Sequence, residues 1–255
     1  MTERRKTVVV ETVDQLLQAG TRRDFLRLMA AGGTAVLLPS LFAACGDDDE
    51  NPAGPGGGTG ATVTLDFGNP DDVGVLNYAY ALEQLEAAFS AQVVAQSSGV
   101  LSADEQNIMA DIRNHEAIHA AFLKQALGTS AIGTLDVSRT FTGIAFANRT
   151  AVLTAARDFE DTGVAAYNGA AQYLKQGANI LTAVKIVSVE ARHAAVIRDM
   201  LDPNAAAGAS TSFAPRAFDE ALDVPAVTAR VQDYIVQRLQ ATNKPDPAII
   251  ITPER

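Results

Sequence analysis

Cysteine occurs once in this 255-residue chain, at Cys45. No disulfide can form within the chain, and no thiolate cluster can hold a metal. Basic residues are also scarce, 20 Lys+Arg against 30 Asp+Glu. Residues 1–45 hold six of the basic and four of the acidic ones, so the rest carries 14 against 26, a net charge of −12. Phosphate binding needs basic patches, and so acidic a surface argues against nucleic acid as a partner. Proline is absent from residues 71–201, as long uninterrupted helices require. Histidine occurs only three times, at His115, His119 and His193.

Residues 21–45, TRRDFLRLMAAGGTAVLLPSLFAAC, read as an export signal. Arg22 and Arg23 precede an apolar stretch from Phe25 to Ala44 that Gly32, Gly33 and Pro39 interrupt. Its length suits a signal core and is rather short for a membrane span of about 20 apolar residues. The T-R-R-x-F-L run resembles the twin-arginine signal, an address read by a receptor. LFAAC resembles a bacterial lipobox, with Phe42 where leucine is usual. The resemblance implies loss of residues 1–44, a lipid on Cys45 and attachment at the periplasmic face of the bacterial cell envelope. A retained transmembrane anchor is the alternative. The acidic, Gly- and Pro-rich stretch that follows cannot bury apolar surface and reads as a flexible tether, residues 46–61.

About 190 residues remain, enough for one well-buried domain. From Asp71 to Ser98, Leu76, Tyr80, Leu82, Leu85, Phe89 and Val93 recur at helical steps, with Asp71 or Asp72 as the cap. SADE, residues 102–105, is a capping box that opens a second helix running to Leu127 and stopping at Gly128. A long connection leads to a third helix over 148–175, a turn at 177–179 and a fourth helix over 180–201. Residues 202–224 read as loop, and 224–240 as a short amphipathic helix with Pro225 in its first turn. The β-prone run in the tail, residues 244–255, has no evident place. These expectations give an all-α fold, a four-helix bundle over 68–201 in which a long crossover joins two helix pairs. A C-terminal extension, 202–255, follows.

Two of the three histidines sit in E-x-x-H pairs, Glu116 with His119 and Glu190 with His193. Three residues is close to one helical turn, so each pair projects from one face. A carboxylate and an imidazole placed so can bind one metal ion, or simply bond to each other. A two-metal bundle site needs one more inward Glu from each remaining helix. The third helix offers Glu160, on a face with Ala156, Gly163 and Tyr167. If Glu160 points inward, Asp158 and Asp161 point elsewhere. The first helix offers Glu83 and Glu86, one turn apart. Small residues (Gly163, Ala165, Ala166, Ala191, Ala194 and Ala195) would let the helices approach closely or leave room for a small ligand. His115, beside Glu116, projects a helical step away and reads as structural or exposed.

In the order Glu, E-x-x-H, Glu, E-x-x-H, the chain resembles the ferritin-like superfamily of di-metal carboxylate bundles, most closely its exported bacterial group. The match covers roughly residues 70–200. Family sequences commonly place the first Glu 33 residues before that of its E-x-x-H, as Glu83 stands to Glu116. They often place a Tyr seven residues after the lone Glu, as Tyr167 stands to Glu160, whereas Glu83 has Ser90 there. Internal symmetry instead favours Glu86, because Glu86 to Glu116 and Glu160 to Glu190 both span 30 residues. Glu83 is preferred, with Glu86 as the alternative.

The resemblance implies two iron ions, or manganese, held by Glu83, Glu116, His119, Glu160, Glu190 and His193, with Glu116 and Glu190 bridging and Tyr167 behind the ligands. It implies an oxidoreductase that reacts with O₂, peroxide or Fe(II), either ferroxidase- or peroxidase-like or resembling manganese catalase. A storage cage is disfavoured, since a lipid on every subunit would obstruct assembly. The alternative from a different class is a metal-binding or structural envelope bundle without turnover, because fold does not fix function.

Overall fold

A computed structural model describes residues 61–137 and 141–245. The expected export signal, Cys45, the expected tether up to residue 60 and the run from residue 246 lie outside the described residues. Four long helices dominate: α1 (Val73–Gln96), α2 (Ala103–Leu127), α3 (Arg149–Ala170) and α4 (Gly177–Leu201). A short helix, α5 (Val224–Val231), follows, and strands β1 (Thr62–Asp66) and β2 (Arg238–Thr242) pair in parallel. The fold is an all-α four-helix bundle, as expected, carrying this two-stranded appendage. Among the described residues, no helix is long and apolar enough to cross a membrane.

Local chemistry sets the helix ends. Ser102 and Glu105 close the expected capping box, with Ser102 N donating to Glu105 Oε2 at 2.8 Å and Glu105 N to Ser102 Oγ at 3.3 Å. Arg149, the first residue of α3, donates to Glu105 of α2 and to the Met200 carbonyl near the end of α4, joining three helices. At the opposite end Asp72 departs from expectation. It adopts a left-handed backbone (φ 62°) and makes no side-chain cap on α1. Its buried carboxylate instead accepts from Lys175 N (2.8 Å), Gln176 N (2.9 Å) and Asn179 Nδ2 (3.0 Å), holding the turn that leads into α4. Those bonds start α4 at Gly177, so the turn falls before residue 177 and not at 177–179. α3 correspondingly ends at Ala170 in a single 3-10 turn, Ala171–Tyr173.

The connection from α2 to α3 runs the length of α1. Asn77 accepts from Ile132 N (2.7 Å) and donates to Ser130 O (2.8 Å), and Gln84 accepts from Leu135 N (2.9 Å). Leu135, Phe141 and Phe146 of this segment enter the core. A lengthwise crossover makes α1 antiparallel to α2 and α3 antiparallel to α4, while α2 and α3 run the same way.

The expected helix over 224–240 ends early. α5 stops at Val231, passes through a 3-10 turn at Gln232–Tyr234 and becomes β2, paired Thr62↔Arg238 through Asp66↔Thr242. Val227, Val231, Ile235 and Leu239 are buried, a spacing that a helix could also have satisfied. Pairing with β1 decides between them. The 202–222 segment is pinned where Leu222 N donates to Ala165 O at 2.9 Å. Gly169 permits this approach, since a Cβ there would stand 1.8 Å from Leu222 O.

Candidate metal centre

Each long helix delivers its central acidic residue to the bundle axis. Glu83, Glu116, Glu160 and Glu190 are at most 4 % exposed, a rare condition for carboxylates without compensation. Aromatic side chains close off both ends. Phe89 packs on Phe141 and Phe159 (ring centroids 5.4 and 4.5 Å), and Phe67 packs on Tyr78 and Tyr173 (5.9 and 5.4 Å).

The polar atoms gather into two groups that share members. Glu83, Glu116, His119 and Glu190 offer ligand atoms within 4.8 Å of one another, and so do Glu116, Glu160, Glu190 and His193. His119 Nδ1 lies 2.9 Å from Glu190 Oε1, 3.4 Å from Glu83 Oε2 and 3.5 Å from Glu116 Oε2. His193 Nδ1 lies 2.9 Å from Glu116 Oε1, 3.2 Å from Glu160 Oε2 and 3.8 Å from Glu190 Oε2. Glu116 and Glu190 thus each turn one oxygen to either group.

All six residues expected as ligands are brought together. Glu86 is buried as well but belongs to neither group. Its carboxyl rests against Gly163, where a Cβ would stand 2.5 Å from Glu86 Oε1. Tyr167 donates to Glu83 Oε1 at 2.5 Å. Asp158 and Asp161 point away, paired with Arg157 and Arg198. His115 is on the surface, as expected, but it is more than an exposed side chain. Its Nδ1 is 2.8 Å from His193 Nε2, a contact between residues 78 positions apart that no local pattern announces.

The electrostatics are those of charges confined together. Burial opposes charge on His119 and His193, but their carboxylate neighbours outweigh it and push both up to about 12. Burial and the charge of Glu190 push Glu83 up to about 8, against the pull of His119. Burial raises Glu190 too, but the two imidazoles prevail and hold it at about 2. Burial raises Glu160 well above the usual carboxylate range although His193 opposes it, and raises Glu86 likewise, reinforced by Glu190. Burial, then the charges of His193 and His119, lowers His115. Protons therefore hold this centre together in the absence of cations.

The donor set fits a pair of divalent cations. Glu83 Oε2, both oxygens of Glu116, both of Glu190 and His119 Nδ1 are buried with no hydrogen-bond partner. Several of these atoms stand at hydrogen-bond distance without hydrogen-bond angles, as when lone pairs aim at a common point rather than at each other.

No curated protein matches the chain. A sequence model of the ferritin-like domain matches residues 71–203, slightly more than half of the chain and the whole of the four-helix bundle. The chain belongs to the ferritin-like domain family.

Proposed function

We propose that this protein is an exported di-metal carboxylate oxidoreductase, anchored by lipid at Cys45 and acting on O₂, peroxide or Fe(II) as substrate. The observation that carries the metal reading is the sharing of Glu116 and Glu190 between two donor groups, one oxygen to each. Glu83 and His119 complete one position, and Glu160 and His193 the other. Four carboxylates carry −4 and two divalent ions +4, so the filled centre is neutral, as a low-dielectric interior demands. Burial, reinforced by the neighbouring carboxylates, raises Glu86 well above the usual carboxylate range, and it lies outside both donor groups.

Oxygen and imidazole donors suit Fe(II) or Mn(II). Such ions, when bound, supply the one-electron steps that side chains cannot perform. The chain's own residues do the rest. Tyr167, held protonated by burial first and by Glu83, steadies Glu83 as a hydrogen-bond donor. The aromatic groups at both ends keep bulk water from the carboxylates. His119, at 12 % of its side chain, is the more exposed of the two histidines.

Metal analysis of the exported full-length protein, followed by Fe(II)/O₂ and peroxide assays, tests this reading. Stoichiometric metal with turnover of at least one substrate supports it. Stoichiometric metal without turnover refutes the enzyme and leaves the site. No metal uptake refutes both.

A further inference from the structure

The two halves of the centre are related by an internal repeat, Glu83 with Glu160, Glu116 with Glu190 and His119 with His193. Among the places where the repeat fails, one touches a ligand histidine. His115 precedes Glu116, and the matching position before Glu190 is Val189. His115 reaches the outer nitrogen of His193, Nδ1 to Nε2 at 2.8 Å. The two rings are nearly coplanar, 12° apart, with centroids separated by 5.1 Å. An N···N distance of 2.8 Å plus the two ring radii accounts for that whole separation. The rings therefore meet end to end in one plane, the geometry of an in-plane hydrogen bond and not of a stack. His119 makes no side-chain hydrogen bond of this kind among the described residues, and valine at 189 has no polar atom to offer it.

We propose that His115 is a positioning residue for His193: it accepts the Nε2–H of His193, fixes the tautomer whose Nδ1 faces Glu116 and Glu160, and so makes the Glu160–His193 position bind its ion more tightly and earlier than the Glu83–His119 position. An imidazole can present only one ring nitrogen as a lone pair, and a partner on the other nitrogen decides which. Such a partner also fixes the ring's rotation and raises its basicity, and losing one commonly costs about 10–100-fold in metal affinity. His115 is exposed and lies at a helix surface, so replacing it leaves the core untouched. The inference rests on the metal reading of the preceding subsection.

Anaerobic titration of the full-length protein with Co(II), followed by absorption spectroscopy and calorimetry, distinguishes the cases. Wild type should bind two ions in two separable steps. His115→Leu keeps bulk and loses the acceptor, so its tighter step should weaken by about 10–100-fold while the other step stays within about threefold. His115→Asn places an acceptor near the lost Nδ1 and should recover most of the difference. Nitrogen NMR of His193 in the Co(II)-free protein gives a readout that a merely structural role would not move. The Nε2–H signal should be protected from exchange in wild type and His115→Asn, and exposed in His115→Leu.

The proposal is overturned if His115→Leu retains both wild-type steps, if His115→Asn behaves like His115→Leu, or if both steps weaken equally. Failure of wild type to bind Co(II) at all would overturn the metal reading itself, and this proposal with it.

Discussion

Tyr167 of α3 donates its phenolic hydrogen to Glu83 Oε1 of α1 at 2.5 Å, across 84 residues of sequence and inside a bundle that buries both. A Tyr seven residues after one lone Glu therefore serves the other lone Glu. Tyr167→Phe should remove that donor and leave a buried carboxylate oxygen unmatched. A loss of about 1–3 kcal/mol in stability is expected, with weaker metal binding at the Glu83 position. Denaturant unfolding of loaded and metal-free protein checks both effects.

Gly163 and Glu86 should prove coupled. A Cβ at residue 163 collides with the Glu86 carboxyl, so Gly163→Ala should destabilise by about 1–3 kcal/mol. Most of that loss should vanish when Glu86 is already Ala, as a double-mutant cycle would show. Glu86→Ala should keep the wild-type metal content and Glu83→Ala should not.

In metal-free protein the centre should be most stabilising in mildly acid solution. The Glu83 carboxyl is raised from 4.5 to about 8, and the two imidazoles from 6.5 to about 12. The folded state thus holds more protons than the unfolded chain above about pH 4.5, and stability falls as pH rises. Glu190, depressed to about 2, contributes stability present above about pH 4.5 and lost as pH falls through 2. Tm of chelated protein should accordingly drop between pH 5 and pH 8. Metal-loaded protein should resist that drop, and metal affinity should rise with pH as the displaced protons become easier to remove.

Much of this centre is legible in the sequence because its parts are local. E-x-x-H reports a shared helical face, and a Glu in the middle of each remaining helix supplies the other candidates. The distinction between Glu83 and Glu86 is harder, since both lie on the buried face of α1. It depends on α3, where Gly163 faces Glu86 and leaves room for its carboxyl. Asp72 stands at the N-cap position of α1, but its side chain binds the turn before α4, 103 residues away, because that turn folds back onto it. β1 and β2 are five residues each and exist only through pairing across the whole domain. The alternation of Val63, Leu65 and Phe67 was the signal available for β1.

Lipid attachment at Cys45 predicts that Cys45→Ser loses membrane association when expressed with its signal intact. Fractionation of cells checks it. Unchanged membrane binding would favour a retained apolar anchor at residues 25–44 instead.

The shared carboxylates are tested most directly by anaerobic Fe(II) titration of wild type, Glu160→Gln and Glu116→Gln. Two equivalents per chain are expected for wild type, one for Glu160→Gln, which loses a ligand of a single position, and close to none for Glu116→Gln, which loses a ligand of both. Two equivalents retained by Glu116→Gln, or no stoichiometric uptake by wild type, would contradict a centre built on Glu116 and Glu190.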